Sequence, residues 1–152
     1  MKRMAFVAIA TMFLTGSAPA PPYRGVAQEI GQGDFMFALG YDGHGENDAL
    51  TIKSIDAGTG SFTGTFGRIN AATRPVGGTI GWAGSSASRS YTITWALPSA
   101  DAGPESRTMY SGAFLMQQSR TAFIAGTVVR AGDEGLLRGT APFCGHGMPI
   151  PE

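Results

Sequence analysis

From Phe35 onward the chain alternates: apolar residues are followed by small or polar ones at a period of two, and helical spacing is almost absent. Successive side chains of an extended backbone point to opposite faces, so this pattern predicts strands with one buried face and one wetted face. Phe35 to Leu39 forms the first, followed by a glycine-rich acidic stretch from Tyr41 to Asp48. Leu50 to Ile55 forms the second, with Leu50, Ile52 and Ser54 on one face and Ile55 opposite. Asp56-Ala57-Gly58-Thr59-Gly60 is a turn whose glycines tolerate positive φ. Further strands are expected over Ser61–Ile69, Pro75–Trp82, Tyr91–Leu97, Thr108–Met116, Ala122–Arg130 and Leu136–Phe143, with a proline-containing loop from Pro98 to Arg107.

Many short strands joined by turns, with no helix between them, leave a sandwich or a barrel. Meander order favours an all-β, eight-stranded antiparallel up-and-down barrel, which removes exposed sheet edges. Gly64, Gly78, Gly112 and Gly126 fall inside strands, where glycine suits strong coiling or close approach of a neighbour.

The N-terminus departs from this pattern. Met1-Lys2-Arg3 precedes an apolar run from Met4 to Leu14 and then small residues and prolines, the order of a secretory signal. The run is too short to span a bilayer. Ala18-Pro19-Ala20 resembles a cleavage site but places Pro21 directly behind the cut; Gly25-Val26-Ala27 offers small residues without that obstacle. The expected organisation is therefore a signal over 1–27, a barrel over 33–144 and a tail over 145–152, in a secreted or periplasmic protein with no membrane attachment after cleavage.

Composition narrows the function classes. Eleven Lys and Arg balance eleven Asp and Glu, and only 14% of the 152 residues are charged. No basic stripe exists to steer the chain toward nucleic acid. Cys144 is the single cysteine, so it is either buried and inert, the commoner state of free cysteine, or an intermolecular bridge. Asp42-Gly43-His44-Gly45-Glu46-Asn47-Asp48 lacks calcium-loop spacing and reads as a polar loop. Cys144-Gly145-His146 is half a metal site without a second half and reads as tail. With no nucleophile signature and two histidines in Gly-flanked segments, no enzyme activity, cofactor or metal is expected.

From Leu50 on, several segments match one family in order. Ser61-Phe62-Thr63-Gly64-Thr65-Phe66, Gly77 to Trp82, Tyr91-Thr92-Ile93-Thr94-Trp95, Ser106 to Gly112 and Ala125 to Gly132 together resemble the avidin and streptavidin family. The resemblance implies an eight-stranded barrel that binds biotin non-covalently at its mouth, usually as a homo-oligomer, dimer or tetramer.

Carried over position by position, the implied site is mixed. Trp95 matches a pocket tryptophan, Ser106 and Thr108 match polar ligand contacts, and Tyr110 stands where an aromatic lines the floor. Elsewhere the residues depart: Phe66 replaces a tyrosine hydroxyl, Arg68 a short hydroxyl side chain, Phe37 and Tyr41 an asparagine and a serine, and Thr127 a tryptophan. Each lost hydrogen bond to a buried ureido group costs about 1–3 kcal/mol, so several such losses remove powers of ten in affinity. Arg68 inside a pocket would favour an anionic ligand; at a rim it would face solvent.

Two functions follow from these residues. One is a secreted small-ligand binder for biotin or a biotin-like molecule. The other is a barrel that has lost biotin and serves as a structural or protein-interaction module, or takes another small anionic or apolar ligand. Inward-pointing Phe37 and Phe66 would favour the second by filling the cavity. An enzyme inhibitor on a related barrel is a third, weaker option.

Overall fold

A computed structural model describes residues 22–30, 33–41, 45–83, 89–98, 107–131 and 137–151. Its eight strands are β1 (Phe35–Tyr41), β2 (Asp48–Ile55), β3 (Ser61–Arg68), β4 (Thr73–Trp82), β5 (Ser90–Pro98), β6 (Arg107–Met116), β7 (Ala122–Ala131) and β8 (Leu137–Pro149), preceded by helix α1 (Arg24–Ile30). Each strand pairs with its sequence neighbour, and β1 pairs antiparallel with β8, which closes the barrel. Closure satisfies every edge, which an open sheet would leave exposed. The predicted fold class is the observed one.

The alternation read from the sequence sets which side chains fill the barrel. Phe35, Phe37 and Leu39, then Phe62 and Phe66, Tyr91, Ile93 and Trp95, and Tyr110 and Phe114 are all buried and belong to one cluster. The four interior glycines sit at this inward period. At Gly112 an added Cβ would lie 2.5 Å from the Ala125 carbonyl oxygen and 3.0 Å from the Phe143 ring.

Three expectations are corrected. First, the face assignment at the end of β2 fails because a bulge between Ile52 and Ser54 shifts the register: Ser54 is exposed and Ile55 packs against the core. Second, β8 runs six residues beyond Phe143 to Pro149, so Gly145–Pro149 belongs to the wall rather than to a tail. Gly145 and Gly147 let β8 pass close to β1, since a Cβ on Gly147 would lie 2.6 Å from the Phe35 ring. Third, Cys144 is exposed, because its position on β8 is an outward one.

The helix was not expected either. Val26 and Ile30, four residues apart on one helical face, are both 0% exposed within the barrel's core cluster. The folded part thus reaches N-terminal to the expected boundary at residue 33.

Candidate functional site

Two ends of the barrel differ. At the end that holds α1, rings pack in sequence: Phe35 on Phe37 and Phe37 on Phe114 at 5.2 Å each, Phe114 on Tyr91 at 5.0 Å, and Tyr91 on Trp82 at 4.9 Å. The opposite end, where β1, β3, β5 and β7 finish, is the mouth. Here Trp95 stacks on Tyr110 with centroids 4.6 Å apart and planes 5° from parallel. Phe66 lies 5.1 Å from Tyr110, and Phe143 meets both Trp95 and Tyr110 edge-on at 5.8 Å.

Offset and edge-on contacts of this kind add to the area term, so these rings stabilise one another. Above it, the hydroxyls of Tyr41 and Tyr110 meet at 3.3 Å across the hollow, joining β1 to β6. Burial is the main cause that raises the pKa of both phenols; the Tyr110 hydrogen bond adds to this at Tyr41, and the Tyr41 hydrogen bond partly opposes it at Tyr110. Both therefore stay neutral through the physiological range. The Trp95 Nε1 donor is buried with no hydrogen-bond partner.

The structure thus brings together four of the sequence-derived candidates, Tyr41, Phe66, Trp95 and Tyr110. Phe37 is fully buried but belongs to the ring series of the other end. Thr108 is half-buried at the inward period of β6, nearer the rim. Arg68 ends β3 exposed, at the rim. Thr127 faces outward, paired with the equally exposed Ser111 and Pro142, and stands on the far side of the wall from Trp95. Ser106 lies outside the described residues. Phe143 is the member that sequence reasoning missed. The alternation of Ala141, Phe143 and Gly145 would have marked it as inward had β8 been extended.

A different surface stands out on the outer wall. An open depression of about 440 Å³ crosses β4 to β7, lined by the outward residues Gly77, Thr79, Thr94, Ala96, Met109, Ser111 and Val129 and, between them, by Gly78, Trp95 and Tyr110. The Thr79 and Thr94 hydroxyls pair at 2.8 Å on its floor. Around it, the outward positions Thr92, Ala113, Leu115, Phe123, Ala125, Pro142, Cys144 and Met148 carry no charge. Met109 is 54% exposed, Phe123 48%, Leu115 46% and Met148 44%. His146, also on this wall, lies edge-on to Phe123 at 4.9 Å and bonds Glu46 through Nδ1 at 2.7 Å. No group of three or more His, Cys, Asp and Glu side chains able to hold a metal ion occurs among the described residues.

Fold and interior together define a closed antiparallel meander barrel in which Phe66, Trp95, Tyr110 and Phe143 pack on one another towards the end opposite α1. Among solved structures, a biotin-binding protein from chicken is similar, with a TM-score of 0.48 and 17% identity over 76% of this chain and 94% of that one. No protein-family model matches, and no curated protein matches.

Proposed function

We propose that this is a non-enzymatic interaction barrel, exported from the cell, that has lost biotin and works through its outer wall. One observation supports the reading: Trp95 stacks coplanar on Tyr110, with Phe66 and Phe143 against them, where the resemblance would seat a bicyclic ligand. Opening that space means separating rings that stabilise each other by about 0.5–1.5 kcal/mol per pair beyond area burial. Part of what would repay the cost is gone, because Phe66 offers no hydrogen bond to a ureido ring where the resemblance would place a tyrosine hydroxyl.

The partner we assign to the outer wall is a second copy of this chain. Four strands at about 4.8 Å spacing and some seven residues at about 3.3 Å rise give a patch of roughly 450 Å². Pairing two such patches buries about 900 Å², the size of a small, weak and concentration-dependent interface. A wall whose described side chains are mostly uncharged, with Met109, Leu115 and Phe123 raised above small residues and the His146–Glu46 pair beside Phe123, desolvates cheaply against a copy of itself.

Sedimentation of the folded protein should therefore give a concentration-dependent dimer, and Phe123→Glu with Leu115→Glu should give a monomer of unchanged fold. Calorimetric titration with biotin should give no binding heat. A monomer at every concentration, or saturable biotin binding at the micromolar level, would overturn the proposal.

The unpartnered Trp95 N–H favours a second reading, in which a small flat anion displaces Tyr110 and accepts that hydrogen bond. Benzoate would then quench Trp95 fluorescence in the native chain and fail to do so in Trp95→Phe.

A further inference from the structure

The same N-terminal segment carries two incompatible demands. Residue chemistry alone favours removal of the leader after Ala27, where Gly25 and Ala27 supply small side chains. Such a cut would leave three helical residues, Gln28 to Ile30, less than one turn.

The fold uses Tyr23 and Val26, which that cut would discard, and fastens them in one segment with Glu29 and Ile30, which it would leave as a stub. Val26 and Ile30 are 0% exposed inside the barrel cluster. The Tyr23 ring stacks on Trp82 at 6.2 Å and 12°, and the Tyr23 N–H donates to the Ala57 carbonyl at 2.9 Å. Glu29 pairs with Arg89 at 3.0 Å, and the Arg120 guanidinium donates to the Glu29 carbonyl, also at 3.0 Å. Arg89 in turn donates to the Gln117 carbonyl at 3.1 Å. These contacts reach the β2–β3 turn, the end of β4, the start of β5 and the β6–β7 turn, which lie around one rim. Tyr23 to Ile30 is thus fastened across that end of the barrel.

We infer that the export leader is cut N-terminal to Tyr23 and that Tyr23–Ile30 is retained as a stopper over the end of the barrel opposite Tyr41. The bond we assign is Ser17–Ala18. Thr15 and Ser17 give it small side chains, whereas cuts after Ala18 or Ala20 would place Pro19 or Pro21 directly behind the bond. A leader-processing peptidase of the exporting cell adds water across that peptide bond, releasing a carboxylate at Ser17 and a new amino terminus at Ala18.

The test is amino-terminal sequencing and intact mass of the full-length chain after export from a secretory host. A product beginning at Ala18, still carrying Tyr23, is expected, and Ala27→Leu should leave it unchanged. A product beginning at Gln28, or an uncut chain, overturns the assignment. In the same exported protein Val26→Asp should lower the melting temperature by on the order of 10 °C, since it puts a charge at a fully buried contact. An unchanged melting temperature would remove the stopper role.

Discussion

Trp95 is the residue on which the interior turns, since its indole touches Tyr110, Phe66 and Phe143. Truncating so large a buried ring removes its transfer free energy and leaves a cavity, so Trp95→Ala should cost about 3–5 kcal/mol, read as a lower urea midpoint with an unchanged slope. Tyr41→Phe is a milder probe. It strips the Tyr110 hydroxyl of its 3.3 Å partner at the rim and should cost about 1 kcal/mol in the same measurement. The sequence showed the type of each of these residues and, for Trp95 and Tyr110, the side they face. It did not show that they touch one another, because stacking across a barrel depends on stagger between strands distant in the chain. Thr127 marks the limit of transferring a position by resemblance: its outward period was legible from Val128 beside it, yet alignment placed it in the pocket.

Turns and bulges hold the elements in register. Asp56 Oδ1 accepts the Gly58 and Thr59 amides at 2.8 Å each, and Gly60 at φ 74° completes the β2–β3 turn in a conformation other residues resist. These backbone hydrogen bonds, that of Thr59 first, hold the Asp56 pKa below its ordinary carboxylate value. A carboxyl that is more acidic folded than unfolded contributes stability above its unfolded pKa and loses it as pH falls through the folded value. Asp56→Asn should therefore flatten the acid side of the stability-against-pH curve, measured by thermal melts below pH 5. Strand positions were legible almost throughout, since hydrophobic alternation is a local property. The bulge after Ile52 was not, because it conserves composition while shifting the face, and the extension of β8 was hidden by glycines that ordinarily signal a tail. Those glycines answer to neighbours: Gly112→Ala would press a methyl onto the Ala125 carbonyl and should cost about 1–3 kcal/mol.

At the scale of the whole molecule, closure decides which surfaces remain for work. With the ladder complete, the outer wall from β4 to β8 offers a face of mostly uncharged described side chains, with the His146–Glu46 pair beside Phe123. Cys144 lies on it, paired in register with Gly40 and Ala125. If two copies meet there, an oxidising medium should convert part of the dimer to a form that resists sodium dodecyl sulfate and is split by dithiothreitol, while Cys144→Ser abolishes that form. Pairing of the first strand with the last also has a kinetic side. Seven of the eight ladders join neighbours and need only short loops, but the eighth ties Tyr41 to Phe143 and cannot form until both ends of the chain have met. Loop-closure entropy opposes that encounter, and all-β barrels, rich in contacts between residues well separated in the chain, fold in about milliseconds to seconds. Refolding should accordingly be slow for so small a protein, its last event the zipping of one seam.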